Sequence, residues 1–174
     1  MTAPVLRRPE DCIVGNNAFE MLSIWLAAKG ARPAPRRQDI TLAMVRGLSQ
    51  WLWRVDPVRG WQDFHFRMAG DRIEQFYGRR FSGLYLSELY PATSPPDFIS
   101  SVQNSFTQCM KQRAPQLVGP YTSEYPGKEH WEIEVLILPL SENGTDISSM
   151  IGTMEYWPLG THSAGLHSSL SLKL

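Results

Sequence analysis

Few side chains in this sequence combine a reactive type with a useful spacing. Arg67, in the run Phe66-Arg67-Met68, carries a forked guanidinium that can hold an anionic ligand through two parallel hydrogen bonds. The same residue can instead be structural, pairing with an acid or with carbonyls of the segment 70–83. Phe76, Tyr77, Phe81, Tyr85, Phe106, Trp131 and Met154 could line an apolar ligand pocket, with two phenol hydroxyls to orient the ligand. Aromatic and methionine side chains at such spacings also fill closed cores, and that alternative stays open. His65 with Asp63 or Glu134 is the one histidine–carboxylate pair that could serve as general acid and base.

Other chemistries fail on spacing. A metal or haem site needs a neutral imidazole and, for most metals, further ligands close by. No second ligand stands near His65, and His162 and His167 flank four residues of an aperiodic tail. With no metal or haem motif, no cofactor is assigned. Cys12 and Cys109 lack a CxxC spacing and an evident base, so they read as ordinary thiols and no catalytic residue is assigned. Gly70, Gly78 and Gly83 match neither GxGxxG nor GxxxxGK[ST], which leaves backbone geometry as their role.

The composition narrows the partners. Among 174 residues, 17 Lys and Arg balance 17 Asp and Glu, which argues against nucleic acid or an anionic membrane. The length suits one domain, and 43% apolar residues can bury a core. Residues 1–37 hold six basic against three acidic side chains, and the rest eleven against fourteen; the scattered N-terminal charges read as a solvated surface. The opening residues lack a secretory apolar core, and no apolar run approaches the ~20 residues of a membrane span. A soluble, cytoplasmic protein is expected.

The elements that must position these side chains follow from periodicity. Residues 16–29 read as a helix closed by Gly30. Because only Glu20 and Ser23 are polar between Ala18 and Ala28, that helix needs cover on two sides, from its own domain or from a second subunit. The Pro- and Arg-rich 31–37 makes a stiff linker, and Asp39 can cap a short turn. Gln50–Val55 and Phe64–Met68 form an antiparallel hairpin across a Pro/Gly turn, with Phe64, Phe66 and Met68 sharing one face. Short helices follow at 72–77 and 84–89. Ser94 is the expected cap of a longer helix carrying Phe98, Val102, Phe106, Cys109 and Met110. Strands at 116–123, 130–140 and 150–157 complete the pattern, the last two joined by a turn at Asn143-Gly144. In the second of these, Trp131, Ile133, Val135 and Ile137 share a face while Glu132 and Glu134 point outward. The order predicts an α+β fold: one five-stranded antiparallel sheet with helices on one face, preceded by an N-terminal helix. The divisions are 1–37, helix and linker; 38–157, the sheet domain; and 158–174, a mobile tail. The helical crossover after the second strand puts a cavity between helices and sheet, with Arg67 at its rim.

Several short motifs carry a resemblance. Phe66-Arg67-Met68-Ala69-Gly70 precedes a short helix, Gly78 and Gly83 flank Phe81, and Leu138-Pro139-Leu140-Ser141 is followed by Asn143-Gly144. Together with Trp25-Leu26-Ala27-Ala28-Lys29-Gly30 and its Pro-containing link, they span roughly residues 20 to 157. In this order the chain resembles a PAS domain of the divergent bacterial group of short, stand-alone PAS-like proteins. The resemblance implies a sensory or interaction module, usually dimeric, that binds a small molecule or a protein partner.

The expectation is therefore a non-enzymatic signalling module, homodimeric through the 16–29 helix, with a small-molecule ligand and no nucleic-acid or membrane partner. No kinase, cyclase or DNA-binding segment follows the domain in this sequence, so the expected output is dimerisation or contact with another chain. The alternative is a small cone-fold enzyme of the nuclear-transport-factor-like class with a His–carboxylate pair in its cavity. A scaffold with a filled core is the third possibility. The residues that a cavity encloses distinguish them.

Overall fold

Residues 8–162, 169–172 and 174 are described by the computed structural model. In chain order the elements are α1 (Pro9–Cys12), α2 (Asn16–Lys29), β1 (Leu52–Val58), β2 (Asp63–Ala69), α3 (Asp71–Tyr77), α4 (Leu86–Leu89), α5 (Pro96–Gln112), β3 (Gln116–Thr122), β4 (Trp131–Ser141), β5 (Ile147–Pro158) and β6 (Ser169–Ser171). The strands pair antiparallel throughout in the order β2-β1-β5-β4-β3-β6. The five expected strands thus form one sheet. Three residues of the tail expected to lack structure add a sixth strand along β3, and Leu172 beside it is buried. Residues 163–168 lie outside the described residues.

Each face of the sheet carries its own core. On one face Trp53, Val55, Phe64, Phe66, Ile133, Ile137 and Met154 pack beneath α3, α4 and α5. The crossover helices lie together on that face, as the sequence pattern implies. On the other face Ala18, Met21, Leu22 and Trp25 of α2 pack over Leu117, Leu136, Leu138 and Ile151. The alternation along β4 explains how one strand serves both: odd-numbered residues face the crossover, even-numbered leucines face α2. Trp25 Nε1 also donates to Pro139 O at 2.8 Å, fastening the helix to β4. The 31–37 segment, read as a linker, runs along the sheet instead: Ala34 and Pro35 are buried, and Pro35 O accepts from Ser141 N at 3.0 Å.

Both sheet edges are covered, which removes open rows of backbone donors and acceptors. β6 covers β3, while Leu84 O accepts from Phe66 N and Gly83 N donates to Phe66 O on the edge of β2. Three local expectations change. Ser94 does not cap α5; Pro95 occupies the cap position, and the buried Ser94 hydroxyl has no hydrogen-bond partner among the described residues. Asp39 caps no following turn but accepts from Arg36 N at 2.9 Å and pairs with Arg32 and Arg36. A bulge at Arg67 breaks the β1–β2 register, so Met68 pairs with Arg54 and turns toward the α2 side, away from Phe64 and Phe66.

Candidate ligand-binding site

A cavity of about 50 Å³ lies between the crossover helices and the sheet. α5 contributes Val102, Ser105 and Phe106; Tyr77, Phe81 and Tyr90 come from the shorter helices and the segments between and after them; the strands add Trp53, Val118, Tyr121, Ile137 and Met154. A second bulge makes part of this wall. The β3–β4 register breaks between Val118 and Tyr121, so both side chains enter the same core, where strict alternation would have parted them. The rings interlock: Tyr77 stacks on Phe81 with centroids 4.7 Å apart, and Phe106 meets Trp53 edge-on at 5.3 Å.

The polar groups of the wall are neutral. Burial, foremost, pushes the Tyr77, Tyr90 and Tyr121 phenols above their ordinary range, so they keep their protons at physiological pH. The Tyr77 and Tyr90 hydroxyls are hydrogen-bonded to each other. Ser105 donates to Ser101 O at 3.0 Å, within its own helix. No Asp, Glu, His, Lys or Arg is among the lining residues. Such a wall can hold an uncharged molecule by shape and direct it with one or two hydroxyls. It offers no counter-charge to an ion and no base for proton transfer.

Of the eight nominated ligand residues, Tyr77, Phe81, Phe106 and Met154 line the cavity. Phe76 and Trp131 do not; they pack with Tyr156 as a separate aromatic group, with Phe76 and Tyr156 centroids 4.4 Å apart. Tyr85 lies outside as well, stacked on His65 at 4.8 Å. Arg67 is the clearest correction. Alternation puts it on the face opposite Phe66, where its Nε donates to Asp56 Oδ2 at 2.6 Å, the pairing with an acid that was its alternative reading. Tyr90 and Tyr121 escaped the sequence reading. Tyr90 sits in a Pro-rich loop without periodicity, and a bulge turns Tyr121 inward.

The nominated His–carboxylate pair is taken apart by the fold. His65 Nε2 faces Gly83 O at 3.3 Å on the covered edge of β2. Asp63 is buried as an acceptor for Phe64 N, Ser87 N and the Ser87 hydroxyl, the last at 2.6 Å. Glu134 is on β4 beneath α2, where it accepts from Val14 N and Gly15 N.

That Glu134 is buried at all overturns the outward reading of the β4 acids. Glu134 and Glu155 are register partners on β4 and β5, and only 1% and 7% of their surface is exposed. Their four oxygens accept backbone N–H groups at the start of α2: Val14 and Gly15 to Glu134, Asn17 and Ala18 to Glu155. The Asn17 side chain adds a 2.7 Å bond to Glu155. The helix therefore starts with its free amides directed at sheet carboxylates, whose charge its dipole also favours. A side chain at position 15 would push these carboxylates aside, because its Cβ would lie against Glu155 Oε2. Desolvation, opposed by the two amides and aided by Glu155, pushes the Glu134 carboxyl up to about 7. Glu132 does similar work at the far end, accepting from Gly160 N and His162 N at 2.7 and 2.8 Å.

No match was found among curated proteins. Comparison with family models found the PAS domain, matched over residues 16–155. That interval begins at the first residue of α2 and ends at Glu155, so it takes in the two glutamates that clamp the start of α2, the crossover helices and the whole cavity wall. With most of its length matched in this way, the chain belongs to the PAS domain family.

Proposed function

We propose that this PAS domain is a sensory module that holds a small, uncharged molecule in the aromatic cavity and reports its presence to another chain. The observation that carries the reading is the wall itself: apolar rings with converging neutral hydroxyls and no charge among its lining residues. At about 50 Å³ the space suits a molecule of a few heavy atoms, far below the ~300 Å³ at which drug-sized pockets begin. A larger ligand has to move Phe106 or Tyr90. Self-association through the outer side of α2 belongs to the same proposal. The sheet takes Met21, Leu22 and Trp25, but Val14 and Phe19 remain 38% and 43% exposed, an apolar strip that a second copy can cover.

Small-molecule mass spectrometry of material released from the purified protein tests the ligand. A neutral compound released from the parent protein and missing from Val102→Phe, a variant that fills the cavity and is checked for folding by circular dichroism, supports the proposal. A parent protein that releases nothing, and is no more stabilised by small neutral phenols and alcohols than Val102→Phe, overturns it.

A further inference from the structure

The turn at Thr41–Met44 departs from ordinary turn chemistry. Met44 N donates to Thr41 O at 3.1 Å, which puts Leu42 and Ala43 at the corner, where Gly, Pro, Asn, Asp and Ser normally stand. All four residues are exposed, Leu42 at 81% and Met44 at 41%. The turn is anchored on both sides, since Ile40 before it and Val45 and Leu48 after it pack against the α2 core. Its apolar corner belongs to neither core and lies outside the cavity wall.

The surroundings are cationic. Residues 29–59 carry seven basic side chains and two acidic ones, so the neutrality of the whole chain conceals a basic stretch centred on the turn. Of the two acids, Asp39 is shared by Arg32 and Arg36 at 2.8 and 3.0 Å, and Asp56 is taken by Arg67. Arg37 and Arg46 flank the turn, are exposed, and form no ion pair among the described residues. The field that a partner meets is set by such local charge and not by the sum over the chain.

An apolar tip inside a cationic collar matches a bilayer with anionic headgroups: apolar side chains enter the acyl boundary while arginines stay at the phosphates. A stable protein partner would cover about 800 Å² on each side, more than a four-residue turn presents. We propose that the Leu42–Met44 turn docks this domain on anionic membranes, with Arg37 and Arg46 holding lipid phosphates. This departs from the expectation, drawn from net charge, of no membrane partner.

Co-sedimentation with vesicles of about one-third phosphatidylserine in phosphatidylcholine, at about 50 mM salt, tests this. The parent protein should pellet with these vesicles, and at least fivefold less with phosphatidylcholine alone or at about 500 mM salt. Leu42→Ser/Met44→Ser and Arg37→Gln/Arg46→Gln, each checked for folding by circular dichroism, should bind at least fivefold less. Leu159→Ser, which removes an exposed leucine just after β5, should bind like the parent. No pelleting of the parent with anionic vesicles, equal pelleting with phosphatidylcholine alone, or undiminished pelleting of a folded Leu42→Ser/Met44→Ser overturns the proposal. So does a loss of self-association by that variant in vesicle-free light scattering, which would assign the turn to a second copy. The cavity takes no part in this contact, so the ligand reading above stands or falls separately.

Discussion

Replacing Glu134 by Gln should remove a pH dependence that the clamp builds into the fold. The charged groups facing Glu134 are few: Glu155 from β5 and the partial positive charge of the α2 amides, with no ion pair to either glutamate among the described residues. Because burial raises its carboxyl from 4.5 to about 7, the folded protein holds that proton more tightly than the unfolded chain does. The associated stability is fully present below about pH 4.5 and is lost as pH rises through about 7. At about 1.4 kcal/mol per pH unit, the interval corresponds to an upper figure of about 3 kcal/mol. For a chain of this size that is roughly 6–12 °C in Tm. Thermal unfolding of the parent and Glu134→Gln at pH 5, 6, 7 and 8.5 isolates the effect, since all other titrations are common to both. The parent should lose more stability than the variant toward pH 8.5. Amide hydrogen exchange at Val14, Gly15, Asn17 and Ala18, corrected for intrinsic rate, should show protection falling over the same range in the parent alone. Parallel pH profiles for the two proteins would refute the reasoning.

Two further outcomes follow from contacts elsewhere. Gly152→Ala should destabilise the domain by about 2 kcal/mol or more in denaturant unfolding, because the new Cβ would meet Leu136 O at 1.9 Å and the Trp53 ring at 2.4 Å. If the protein self-associates through α2 as proposed, Phe19→Glu should give a monomer by light scattering with little change in Tm, because Phe19 is on the exposed side of α2 and its removal leaves Trp25 and Met21 in place. A dimer that survives this change does not use that strip.

The legibility of the fold varied with the physics of each segment. β4 was readable on both faces, because Trp131, Ile133, Val135 and Ile137 are aromatic or β-branched and the later even-numbered residues are leucines, and each set entered its own core. The Asn143-Gly144 connection and the Gly30 stop were readable because a positive φ (93° at Gly144 and 56° at Gly30) is a local demand that residue type alone reveals. The cavity was half readable: Tyr77, Phe81, Phe106 and Met154 line it, but Arg67, Phe76, Tyr85 and Trp131 do not. Two bulges account for part of the difference. One turns Met68 to the α2 side, away from Phe64 and Phe66, and the other turns Tyr121 inward. Each adds an unpaired residue that shifts the alternation beyond it, and no residue type announces such an insertion.

By itself the sequence determined the main helices and the five central strands, and the antiparallel order they suggest, because periodicity and turn chemistry are local properties. Tertiary structure alone decided what Glu132, Glu134 and Glu155 do. An acid alternating with apolar residues reads as facing water, and here backbone N–H groups from segments far away in the chain take the place of that water. Those donors are backbone atoms, identical in every residue but proline, so nothing in the amino-acid types could have marked them as the partners.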